Sequence, residues 1–341
     1  MKKLYGIEFF RGVAAIMVVI YHVSRHYHKN FAEYPLSEIT KFGHAGVDFF
    51  FTLSGFIILY VHYHDIGKKE LCITYIFKRF SRVYPFFWFV TCLHLVLIPF
   101  ISSASYPDIW DLCKNIVLWP QGRYELINGV SWTLQHEILF YWLFTCVIFN
   151  RYLGYSILLI WFSTIVIFNY FLTIQLNLGV LFSAFNIQFF MGMIAALVLL
   201  KCKVVFPRII LIFGFSFFFI VAYLELQGDI NGYGNNARLL YGAASVLLIV
   251  GSVAYENNNT ISFPWIATFL GRSSYSIYLT HLLFNGILFK LFLVWGLIDE
   301  LPHWISSLSI IFLIIILACF VSVFVEIPLT RLIRKKLDVR S

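Results

Sequence analysis

The stretch Ser309-Ile310-Ile311-Phe312-Leu313-Ile314-Ile315-Ile316-Leu317-Ala318-Cys319-Phe320-Val321 holds no charge, and its only hydroxyl is that of Ser309. Apolar character extends on both sides to cover 304–327. That exceeds the roughly 20 residues a helix needs to cross the hydrocarbon of a bilayer. Within lipid the backbone must satisfy its own hydrogen bonds, so only helices or a closed barrel can span. The run lacks the period-2 alternation of barrel strands, so it is read as a transmembrane helix.

Similar segments recur upstream at 8–27, 43–63, 80–101, 132–150, 153–173, 178–200, 207–225, 237–254 and 273–297. The fold class expected is therefore all-α: a polytopic integral membrane protein of about ten transmembrane helices. Composition agrees. Hydrophobic residues make up 60% of the 341 and charged residues 12%, about half the charged share of a soluble domain. The moderately apolar stretch 108–120, ending in Trp119-Pro120, is read as a surface or re-entrant segment. The outer segment 102–131 is too short to fold alone. The expectation is a single transmembrane domain over 1–341 with no appended soluble domain.

The net charge of +8 does not point to nucleic acid, because the basic residues sit in short loops between spans. With the N-terminus inside, Lys2, Lys3, Lys68, Lys69, Lys78, Arg79, Arg82, Arg151, Lys201, Lys203, Arg208, Arg272, Arg331, Arg334, Lys335 and Lys336 fall on the cytoplasmic side. The other side keeps Arg25, Lys29, Lys41, Lys114, Arg123 and Arg238. Positive residues favour the cytoplasmic side, so both termini are expected to be cytoplasmic. Lys2 and Lys3 precede an apolar stretch as in a signal peptide, but Glu8 and Arg11 interrupt it and no small-residue cleavage site follows. The segment is read as a retained first span. Six scattered cysteines without a CxxC give neither a disulfide framework nor a zinc site, and no metal is expected.

Polar residues inside spans are costly and mark function by default. Arg11 and His22 are eleven residues apart, close to three turns, and so share one helix face about 16 Å apart along the axis. The plainer alternative is a snorkelling arginine and an interfacial histidine. Arg79 and Arg82, one turn apart, repel unless an anion lies between them. The planar guanidinium suits phosphate, although positive-inside topology alone also explains the charge. Glu137 lies at a depth similar to His22, where a carboxylate could orient a histidine as in a hydrolase triad, or pair locally with Arg123. Ser273, Ser276, Thr280 and His281 form a polar stripe that also suits interhelical contact. Glu326, before Pro328, is expected to pair with a nearby arginine. Asp48 is read as a residue near a helix N-terminal dipole or as part of an acceptor site.

Taken in order, these residues resemble the acyltransferase 3 family of membrane O-acyltransferases. The resemblance covers nearly the whole chain. It is carried by Gly6-Ile7-Glu8-Phe9-Phe10-Arg11-Gly12 leading to His22, Gly46-Val47-Asp48-Phe49-Phe50-Phe51-Thr52-Leu53-Ser54-Gly55-Phe56, and Arg79-x-x-Arg82 followed by Tyr84-Pro85. Ser131-Trp132-Thr133-Leu134 with Glu137, the run Leu270-Gly271-Arg272 to His281, and Glu326-x-Pro328 complete it. The opening Tyr5-Gly6-Ile7-Glu8 departs from the Asp-Gly start of many members, and the hydrolase-like domain that some members append is not expected here.

The resemblance implies transfer of an acyl group, usually acetyl, from cytoplasmic acetyl-CoA or another acyl-CoA. The acceptor implied is a hydroxyl of an envelope or exopolysaccharide glycan or lipid-linked sugar. No permanently bound cofactor and no nucleic-acid partner are implied; membrane lipids are. The expected location is the bacterial inner (plasma) membrane, multi-pass. On this basis Arg79 and Arg82 hold the donor's phosphates with Arg11 assisting. His22 acts as general base on the acceptor hydroxyl or carries the acyl group briefly, and Glu137 orients it. The rival class is a polytopic transporter or flippase of a glycan or small solute. Such a protein usually carries broken helices in matching places of two halves, and no clear pair is visible.

Overall fold

A computed structural model describes residues 4–101, 106–121, 126–172, 179–259 and 263–338, with the side chains of 99–101, 334 and 336–338 excepted. Lys2, Lys3 and Arg123 lie outside the described residues, as do the side chains of Arg334 and Lys336. The described chain is helical throughout: α1 (Tyr5–Phe31), α2 (Gly46–His62), α3 (Cys72–Ile101), α4 (Ile109–Ile116), α5 (Trp132–Phe149), α6 (Arg151–Val166), α7 (Phe185–Lys201), α8 (Pro207–Gln227), α9 (Asn235–Asn258), α10 (Trp265–Arg272), α11 (Ser274–Val294), α12 (Leu297–Glu300), α13 (His303–Val321) and α14 (Ile327–Asp338).

The protein is an all-α polytopic membrane protein. Among the described residues, eight helical stretches are long and apolar enough to cross a membrane: Tyr5–Phe31, Glu38–Asp65, Lys69–Ile98, Arg151–Phe171, Pro207–Gln227, Asn235–Asn258, Ser274–Val294 and His303–Ile333. The other two expected spans also fall on helices. One is α7, apolar over 17 residues. The other is α5, whose Gln135-His136-Glu137 dilutes an otherwise apolar sequence. The stretch 108–120 folds as the eight-residue α4, capped by the Asp108 side chain accepting from Asp111 N at 2.7 Å. At 1.5 Å per residue it reaches only ~12 Å and cannot span.

The chain divides into two compact units. One comprises 1–14, 44–76 and 136–272; the other comprises 15–43, 77–135 and 273–341. Helix α1 contributes to both.

In the first unit α2 packs on α7, and α7 and α8 pack on α9. Glycines set the closest approaches. A methyl group on Gly192 would strike the Thr52 carbonyl of α2, and one on Gly55 would strike the Phe189 carbonyl of α7. Without a hydrophobic drive between helices in lipid, such close backbone packing is what joins them. Helices α6 and α8 expose most of their surface, including Leu159, Ile160, Ile212 and Phe219, as faces covered by lipid chains should.

In the second unit α11 packs on α13. Tyr27 of α1 donates to Ser306 Oγ of α13 at 2.7 Å. Beyond α13 the ladder widens to π geometry over Ser322–Glu326 and then resumes as α14. Pro328 has no N–H to give the preceding turn, and a π segment is one way a helix absorbs that loss.

Candidate active site

Of the residues read from the sequence, His22, Arg79 and Arg82 belong to the second unit, and Arg11 and Glu137 to the first.

In the second unit His22 is half-buried on α1. Its ring centroid lies 5.0 Å from that of His281 on α11 and 4.8 Å from that of Tyr21. Asn285, one turn after His281, donates from Nδ2 to the His22 carbonyl at 3.5 Å. His281 is buried, 1% exposed. Its Nδ1 lies 2.6 Å from the Tyr278 carbonyl. A carbonyl oxygen only accepts, so Nδ1 carries the proton and Nε2 presents a lone pair. The Tyr278 hydroxyl shares a hydrogen bond with Thr133 Oγ1 at 3.0 Å. Asn128 Nδ2 donates to the Leu279 carbonyl at 3.0 Å. The turn of α11 that precedes His281 is thereby held at two points.

Arg79 is buried and Arg82 half-buried, one turn apart on α3. Immediately after them, the Val83 carbonyl accepts from Tyr275 Oη at 3.0 Å, and Phe86 packs its ring on that of Tyr275 at 5.4 Å. Tyr275 and His281 are both on α11, about 9 Å apart along its axis. One helix therefore joins the paired guanidiniums to the paired imidazoles.

The polar stripe of α11 resolves into separate roles. Thr280 Oγ1 turns back to the Ser276 carbonyl at 2.7 Å, and Ser276 Oγ donates to Glu326 Oε2 at 2.6 Å. Glu326 also accepts from Ser322 Oγ at 3.1 Å. These contacts join α11 to the π segment. His281, at the end of the stripe, lies against His22.

In the first unit Glu137 accepts from Tyr141 Oη at 2.5 Å and from Ser54 Oγ at 3.3 Å. Its neighbour His136 donates from Nδ1 to Asn186 Oδ1 at 2.7 Å. Arg11 is half-buried on α1, one turn beyond Glu8. Glu256, at the end of α9, accepts from the backbone N–H groups of Tyr5 and Gly6, both at 2.9 Å.

Sequence reasoning missed a buried charge network in this unit. Arg238, counted as an outer loop charge, is 3% exposed on α9. It donates from one nitrogen to both oxygens of Asp48 at 2.7 Å, while its other terminal nitrogen bonds to the Gly232 carbonyl. Gln188 Nε2 adds a 2.5 Å bond to Asp48. Asp48 is thus the fully buried anion of an ion pair. Beside it, His44 Nε2 meets Glu225 Oε1 at 2.7 Å, and Tyr241 donates to Glu225 Oε2 at 2.6 Å. Glu225, a carboxylate near the end of an apolar run, was the signal available in the sequence.

Buried ionisable groups on apolar helices mark functional membrane proteins, and comparison with known proteins places this one among the membrane acyltransferases. The chain belongs to the acyltransferase 3 family: residues 4–327 match the family described as an acyltransferase domain. The resemblance read from the motifs is confirmed. Exopolysaccharide production protein ExoZ of Rhizobium meliloti (strain 1021) is 26% identical over 278 residues, 75% of this chain and 80% of the relative. No solved structure matches the chain at a significant level.

Proposed function

We propose that this acyltransferase moves a short acyl group, acetyl in the simplest case, from acyl-CoA to a sugar hydroxyl of an exopolysaccharide or related envelope glycan. It does so as a multi-pass protein of the bacterial plasma membrane. The observation that carries the reading is the second unit itself, where α11 links the Arg79 and Arg82 pair on α3 to the His22 and His281 pair.

Arg79 and Arg82 would bind the phosphates of the donor, a role suited to two guanidiniums one turn apart. His22 would work on the reacting groups, either taking the acceptor's proton or carrying the acyl group. A positioned histidine contributes about 10²–10⁴-fold as a general base. Arg11 would assist donor binding, and Glu137 would serve as a catalytic carboxylate. The sugar acceptor is suggested by the name of the relative, an exopolysaccharide production protein.

The test follows free CoA released from acetyl-CoA by protein purified in detergent, with and without an envelope glycan extract. Glycan-stimulated release that disappears in His22→Ala is expected. No release from folded protein under either condition would overturn the proposal.

A further inference from the structure

Two imidazoles lie side by side in the second unit, and only one was singled out as catalytic by its position in the sequence. We infer that His281 is a second catalytic residue, whose Nε2 receives the proton of the acceptor hydroxyl during acyl transfer. This rests on the function proposed above and names the base within it.

The argument starts from the tautomer. The Tyr278 carbonyl accepts a hydrogen bond from the Nδ1–H of His281 at 2.6 Å, which leaves Nε2 as an acceptor only. Nε2 is buried and has no hydrogen-bond partner among the described residues. A buried acceptor without a donor is costly, and a ligand that brings an O–H or N–H to Nε2 would satisfy it. The ring alongside, at 5.0 Å, is that of His22. A histidine with one nitrogen pinned by an acceptor and the other free to accept is the arrangement that base catalysis uses in hydrolase triads. Here a backbone carbonyl does the pinning.

The step balances. The acceptor O–H bond breaks and its proton moves to Nε2. The oxygen forms a bond to the acyl carbon as that carbon's bond to its carrier breaks. The carrier atom is either the thioester sulfur or a nitrogen of His22. That atom then receives the proton from the His281 imidazolium, and the neutral ring is restored.

The experiment compares wild type, His281→Asn and His281→Ala in the purified transfer assay with acetyl-CoA and glycan extract. Asn can still donate to the Tyr278 carbonyl, so it serves as the control for folding. Both variants are expected to lose about 10²–10⁴-fold in kcat, with the KM for acetyl-CoA within threefold of wild type. Added imidazole should restore part of the His281→Ala rate and leave His281→Asn unchanged. Transfer within threefold of wild type in His281→Asn would overturn the assignment. So would a loss expressed mainly in KM, or one that imidazole does not restore in His281→Ala, since either marks a structural residue. If wild type itself consumes no acetyl-CoA, the proposed function fails and this assignment fails with it.

Discussion

One guanidinium nitrogen of Arg238 reaches both carboxylate oxygens of Asp48 at 2.7 Å, across 190 residues of chain. Both residues are almost completely buried, so neither charge has water to fall back on. Removing one member of a buried pair typically costs about 3–5 kcal/mol, because the other is left uncompensated. Asp48→Ala and Arg238→Ala should therefore each lower the melting temperature in detergent sharply. The double change Asp48→Leu with Arg238→Met should recover much of that loss. Equal damage from the single and double variants would show that the pair does not act as a unit.

Arg82→Ala should act on donor use. Hydrogen bonds to charged groups contribute about 1.5–3 kcal/mol each, so the KM for acyl-CoA should rise roughly ten- to a hundredfold with a smaller change in kcat. A donor titration that superimposes on wild type would remove Arg82 from the phosphate site.

Glu137→Gln keeps an oxygen that Tyr141 and Ser54 can bond to and removes only the charge. Melting is expected to stay within about 1 kcal/mol of wild type, the scale of one ordinary hydrogen bond. Transfer should fall at least ~10-fold if the carboxylate takes part in proton movement. Full activity in this variant would assign Glu137 to packing alone.

Gly192→Ala places a methyl group against the Thr52 carbonyl on α2. Backbone atoms cannot rotate aside as a flexible side chain can, so the α2 and α7 contact must open. Overpacking of this kind costs about 1–3 kcal/mol. Thermal unfolding of the variant should show it, and an unchanged transition would mean that the two helices separate freely.

The helices were legible because apolar length is a local property. The runs around Ile314 and Phe218 declare themselves without knowledge of any partner. Arg11, His22, Arg79, Arg82 and Glu137 were legible as polar intrusions and as ordered motifs. What sits beside each of them was not. Arg238 reads as a loop charge because it lies two residues past Asn236 at the edge of an apolar run, and its burial depends on Asp48 far upstream. His281 reads as one member of a stripe, and its contact with His22 comes only from the packing of α11 beside α1. Glu326 reads as a carboxylate before a proline, and the hydrogen bonds it accepts from Ser276 and Ser322 depend on how α11 meets the π segment. Sequence shows which residues are expensive to bury, whereas tertiary contact decides what makes the burial tolerable.

The carboxylate of Glu256 that holds the N–H groups of Tyr5 and Gly6 has a consequence for biogenesis. The first turn of a helix leaves its N–H groups without partners, and here the acceptor comes from a residue 250 positions later. During synthesis α1 leaves the ribosome long before α9. Helix α1 is therefore made well before its end is secured, and the insertion machinery must tolerate an unfinished α1 until α9 has emerged.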